Sequence, residues 1–222
     1  MSAAPLDPDR VLALSYVPSR RRPAVEALWR LDAAMGAVLA GGREPMISRI
    51  KLAWWREALE KLDRAPAPAE PVLQALAEHV LARGVSGAEL AEMEAGWSVL
   101  LSGEALTEAD LALYAAARGA TLFRCTARLL GGEGGAAGEG GEGGEAWALV
   151  DLARHSGNWP DAEAALAAAR RYPLRPVPGP LRPLGMLAAL ARRDAEPGRP
   201  PWEPQGAPRR MLRMLRHRLT GR

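Results

Sequence analysis

Helix-opening signals recur along this chain at intervals that leave little room for any other element. Pro23, Pro45 and Pro71 each suit a first helical turn, where the missing amide proton costs nothing, and each precedes an apolar run of helical period. After Pro23 the run is Ala24, Leu28, Leu31, Met35 and Val38, closed by Gly41-Gly42. After Pro45 come two stripes. Ile47, Ile50, Trp54 and Leu62 form one, and Leu52, Trp55 and Leu59 the other, which predicts a helix buried over a wide arc. Pro71 opens a third helix through Val72, Leu73, Leu76 and Val80, stopping near Gly84. Ser86-Gly87-Ala88-Glu89 is a capping box whose helix turns Leu90, Met93, Trp97 and Leu100 inward. Thr107-Glu108-Ala109-Asp110 starts a long helix in similar fashion, through Tyr114, Leu122, Phe123 and Leu130. No segment alternates apolar and polar residues as a half-buried strand does. The expected fold class is all-α, one helical domain over residues 1–222.

The second half is less regular. Residues 131–144 contain only Gly, Glu and Ala, which predicts a flexible loop. Its Gly-x-Gly patterns do not make a phosphate cradle, because no strand precedes them and the glutamates repel phosphate. Helices are expected over 146–155, 161–171 and 183–193, with proline-rich connectors at 172–180 and 197–208. A last helix spans about 209–219. It holds Arg209, Arg210, Arg213, Arg216 and Arg218 with no acidic residue, beside an apolar stripe of Met211, Leu212, Leu215 and Leu219. The stripe predicts docking on the domain with the arginines in water; a basic helix of this kind also suits an anionic membrane surface.

Charge narrows the partners. The net charge is +3, and all but two of the 29 basic residues are arginine. The basic cluster lacks aromatic interleaving, so nucleic-acid binding is not expected. Cys125 sits among apolar helical residues and reads as a buried, inert thiol. Met1 to Arg10 has no apolar signal-peptide core, and no run of about 18 apolar residues spans a membrane. The expected setting is cytoplasmic, with room for peripheral contact to a membrane. His79, His155 and His217 are too scattered to form a metal set.

Three segments resemble the squalene/phytoene synthase family. Leu14-Ser15-Tyr16 with Arg20-Arg21-Arg22 and Ala27-Leu28-Trp29 is similar to the family's opening. Glu44-Pro45-Met46 through Trp54-Trp55-Arg56-Glu57 resembles the helix after the first aspartate motif, and is nearest to the branch containing mitochondrial complex I assembly factors. Tyr114 to Arg118-Gly119 and Leu129-Leu130-Gly131 is similar to the family's tyrosine-bearing helix. The resemblance implies the isoprenoid (terpenoid) synthase fold, a central cavity for prenyl chains, and prenyl diphosphates or lipids as ligands.

The family's catalysts carry Asp-x-x-x-Asp pairs, whose carboxylates share one helix face and hold Mg²⁺ against a diphosphate. Here the resemblance sets Gly36 and Ala37 where the first carboxylates belong, and His155 at the first aspartate of the second motif. The only acidic residues four apart are Glu104 and Glu108. No metal site and no catalytic residue is therefore expected. Candidate substrate-binding residues are Ser15, Tyr16, Arg20, Arg22, Trp54, Tyr114, Asp151 and Arg154. The expectation is a non-catalytic relative, a pseudoenzyme that binds a prenyl lipid or a protein partner at a membrane as an accessory or assembly factor. The alternative is an active prenyltransferase that condenses two prenyl diphosphates, with Mg²⁺ held by isolated acids such as Asp32 and Asp151.

Overall fold

An Asp-Pro step that apolar periodicity passes over begins the structure. Asp7 accepts a hydrogen bond from the Arg10 amide at 3.0 Å and Pro8 fills the first helical position, which starts α1 (Pro8–Ser15). The computed structural model describes residues 5–42, 44–131, 141–173, 177–198 and 202–221, and every regular element among them is helical. The chain continues through α2 (Arg22–Ala40), α3 (Pro45–Leu62), α4 (Pro71–His79), α5 (Gly87–Ala91) and α6 (Met93–Val99). Next, α7 (Glu108–Tyr114) runs through a π-helical turn, Ala115–Ala120, into α8 (Thr121–Leu129). The last four are α9 (Gly141–His155), α10 (Trp159–Ala169), α11 (Arg182–Asp194) and α12 (Pro208–Thr220).

Two helices organise the bundle. α2 packs on α3, α4, α6 and α8, and its buried Leu28, Leu31 and Met35 share a core with Leu52, Leu59, Leu73 and Leu76. The Trp29 indole donates to Thr126 Oγ1 at 3.1 Å, which fixes α2 against α8. α9 gathers the second half, packing on the π turn, α8, α10 and α11. Both capping boxes form, at Ser86 with Glu89 and at Thr107 with Asp110. The first gains a long-range lock, because Asp63 accepts from the Gly87 and Ala88 amides at 2.6 and 2.9 Å. Cys125 is buried, and desolvation pushes its thiol up to about 12, so it carries no thiolate chemistry at neutral pH.

Three expectations need correction. α9 begins at Gly141, inside the glycine-rich run, while residues 132–140 lie outside the described residues. Glycine serves packing here: a Cβ on Gly144 would meet the Gly119 carbonyl oxygen at 2.3 Å, and one on Gly119 would meet the Gly144 oxygen at 2.4 Å. The two backbones cross where side chains would hold them apart. On α3 only one of the two apolar stripes is buried. Leu52, Trp55 and Leu59 face the core with Leu62, whereas Met46, Ile47, Ile50 and Trp54 point to solvent on the opposite face. On α12 the expected polarity is inverted: Arg210, Met214 and His217 are buried, and Leu212 and Leu219 stand out.

Candidate functional site

Small residues on α2 create the cavity. Ala33, Gly36, Ala37 and Ala40 recur at three- and four-residue spacing, so one face of α2 presents almost no side chain, and a cavity of about 530 Å³ opens against it. Trp97 and Leu100 close one wall, Tyr114 and Arg118 another, and Asp151, Leu152 and His155 from α9 a third. The start of α1 supplies Asp7 and Arg10. A mostly apolar chamber with a few convergent polar groups has the size and make-up of a small-molecule site.

Its polar groups form one network. The Arg118 guanidinium meets Asp32 side-on, Nε to Oδ1 at 2.8 Å and Nη2 to Oδ2 at 2.9 Å, and the same Nη2 lies 2.8 Å from Asp151 Oδ2. Its Nη1 donates to the Tyr114 hydroxyl. Arg10 Nη2 donates to Asp32 Oδ2 at 2.8 Å, and its Nε lies 3.0 Å from Asp7 Oδ2. The Arg118 plane sits near three aromatic rings, 4.1 Å from the Trp97 centroid, 4.8 Å from Trp147 and 5.4 Å from Tyr114, while Arg10 lies 4.7 Å from Trp147. Cation–π attraction and bidentate pairing act together on one buried guanidinium. The π turn sets this up. Its wider winding changes the angular register between α7 and α8, and Arg118 lies within it; such insertions are frequent at functional sites.

The electrostatics follow from that geometry. Burial alone would raise the Asp32 carboxyl, but the Arg118 and Arg10 guanidiniums outweigh it and hold the group below the usual carboxylate range. Asp151 behaves alike: burial is opposed by Arg118, Arg10 and His155, and the net shift is downward. Asp7 goes the other way, because burial exceeds what Arg10 returns. Burial also pushes the Tyr114 phenol up. Three carboxylates thus surround two guanidiniums, and His155 stands at the rim with Nδ1 3.4 Å from Asp151 Oδ1 and 2.8 Å from its backbone oxygen.

A divalent-metal centre does not fit these residues. Asp32 and Asp151 already share Arg118, and Asp32 accepts from Arg10 as well. At Gly36, where the resemblance places a carboxylate, even a Cβ would lie 3.0 Å from the Trp97 ring. Among the described residues no group of three His, Cys, Asp or Glu side chains is arranged to hold a metal ion.

Of the residues singled out from sequence, Tyr114 and Asp151 line the cavity. Arg154 lies beside it, pairing with Asp194 at 2.9 Å and donating to the Glu203 carbonyl at 2.7 Å. The others are elsewhere. The Ser15 hydroxyl donates to the Leu12 carbonyl, Tyr16 lies under Arg218, Arg20 is exposed, and Arg22 holds the Ser15 and Val17 carbonyls. Trp54 is 46% exposed and packs edge-to-face on Trp55 at 5.2 Å, on the side of α3 that faces away from the core. Arg10, Trp97, Arg118 and Trp147 belong to the site without having been named as binding residues from sequence, and Asp32 enters there only as an isolated acid in the prenyltransferase alternative. Arg118 pairs with a residue 86 positions away, which no local spacing reveals.

Comparison with known proteins agrees with this architecture. The family model for squalene/phytoene synthase matches residues 4–158, the span that carries every cavity wall except Gln205. No curated protein and no solved structure matches the chain at a significant level.

Proposed function

The chain belongs to the squalene/phytoene synthase family, and from that premise we propose that it is a non-catalytic member which holds an uncharged prenyl-type lipid in the α2-side cavity. One observation carries this reading. The carboxylates that face the cavity are bound to Arg118 and Arg10, so the positive charge that metal ions supply in the family's catalysts is supplied here by fixed guanidiniums. Arg118 directs Nε, Nη1 and Nη2 into the network, leaving it little with which to grip a diphosphate. Three carboxylates against two guanidiniums also repel a polyanionic head. An apolar ligand with a hydroxyl or carbonyl at one end suits the remaining wall of alanines, leucine and tryptophan.

Thermal denaturation with added ligand tests it. Geranylgeraniol at saturating concentration is expected to raise the melting temperature by several degrees without Mg²⁺, since about 2.7 kcal/mol accrues at a hundredfold excess over Kd. Geranylgeranyl diphosphate should act more weakly, with no added effect of Mg²⁺. A magnesium-dependent rise with the diphosphate would return the chain to the prenyltransferases.

A second reading rests on α3. Met46, Ile47, Ile50 and Trp54 form an exposed apolar stripe flanked by Arg49 and Lys51, a surface suited to a protein partner in an accessory or assembly role. A photo-crosslinking residue at Ile50 is then expected to trap one discrete partner, while one at Arg64 traps none. Indiscriminate labelling from both positions would sink it.

A further inference from the structure

α12 is docked by its polar side and presents its apolar side outward. Arg210, Met214 and His217 recur at four and three residues and face the domain. Arg210 is the anchor: its Nη2 lies 2.7 Å and its Nε 3.0 Å from Asp9 Oδ2, and its Nη1 lies 2.5 Å from Asp194 Oδ2. Arg182 adds a clamp on the far end, donating to the Arg218 carbonyl at 2.8 Å. With that side held, Leu212 is 68% and Leu219 77% exposed. Arg209, Arg213 and Arg216 are exposed beside them. Between α11 and α12 runs a groove of about 460 Å³ to which Arg192, Arg209, Arg213 and Arg216 contribute, and Glu196 is its one lining carboxylate.

We propose that this face is a membrane-docking surface, and that α12 lies flat on a bilayer rich in anionic phospholipid. The charge names the partner: residues 208–220 contain no acid, and the exposed arginines match a layer of phosphates. The leucines separate a bilayer from other polyanions. A phosphate backbone has no apolar layer for two protruding leucines, whereas the headgroup boundary takes up apolar side chains to a depth of about 5–10 Å. The helix is already folded and fixed to the domain, so docking requires no ordering of α12. Among the described residues no helix is long and apolar enough to cross a membrane, and the contact is one of lying on the surface.

Co-sedimentation of the full chain with vesicles tests the inference. Binding is expected to vesicles of phosphatidylglycerol and phosphatidylcholine at about three to seven, to weaken with added salt, and to be absent with phosphatidylcholine alone. The triple variant Arg209→Gln, Arg213→Gln, Arg216→Gln and the double variant Leu212→Glu, Leu219→Glu should each weaken binding by more than about tenfold. Melting temperatures should be unchanged, because these side chains are exposed. Equal binding to neutral vesicles, binding unaffected by either variant, or loss only with Ile50→Asp on α3 would each overturn the proposal. So would self-association through Leu212 and Leu219, or capture of an acidic protein with no vesicle binding. None of these outcomes depends on whether the cavity takes a lipid.

Discussion

Arg118→Met is expected to cost about 3–5 kcal/mol and to lower the melting temperature by roughly 10 °C, the cost of stranding buried carboxylates without their counter-ion. Asp32 is fully buried and would keep only Arg10, and Asp151 would keep only His155 at the rim. The double variant Arg118→Met, Asp32→Leu should recover part of that loss, because the carboxylate at position 32 no longer needs a cation, while Asp151 still lacks Arg118 and Arg10 keeps only Asp7. Differential scanning calorimetry of the single and double variants checks both statements. A single variant that melts within 2 °C or so of the parent would show that the network contributes little.

The pH dependence has a defined sign. Asp32 and Asp151 are held below their ordinary range, so their contribution is present above about pH 4 and is lost as pH falls through the folded-state values. Asp7 is raised, so what it contributes is complete below about pH 4 and is lost as pH climbs through its folded-state value. The gap between the parent and Arg118→Met should therefore narrow in acid, where Asp32 no longer needs a cation. A gap that widens below pH 4 would contradict this assignment.

Arg210→Met is the second large effect, at about 3 kcal/mol or more. Asp9 would retain only the Gly206 amide at 2.9 Å, while Asp194 keeps Arg154, which moderates the loss. The damage should be local in origin: α12 loses its anchor to α1 and α11. Limited proteolysis is the readout, with faster cleavage in the connector between α11 and α12 than in the parent. An unchanged digestion pattern with a lowered melting temperature would mean that α12 unfolds only together with the whole domain.

Much of the helix layout was legible because helix starts are local chemistry. Pro23, Pro45 and Pro71 stand in the first turns of α2, α3 and α4, and both capping boxes close as the residue types require. Asp7-Pro8 is the same kind of signal, overlooked because α1 buries few large apolar residues. What local reading misses is which face of a helix is covered. α3 has two apolar stripes and the sequence does not say that only one meets the core. α12 has a clear apolar stripe, but two distant carboxylates, Asp9 and Asp194, claim Arg210 and turn the helix over. The cavity was hidden for a related reason. Its walls are absences, the alanines and Gly36 of α2, and its polar centre joins residues from four separate helical segments.

The pairing of Asp9 with Arg210 spans 201 residues, and so sets an order of events during synthesis. When Asp9 and Arg10 leave the ribosome, α2 follows soon after, but Arg118, Asp194 and Arg210 do not yet exist. At about 5–20 residues per second, Asp9 waits roughly 10–40 s for the arginine that completes its burial. Until then Arg10 of α1 has Asp32 of α2 as a partner, but Asp9, which belongs in the protein interior, has no cation. The burial of Asp9 is therefore complete only once the segment containing Arg210 has been made.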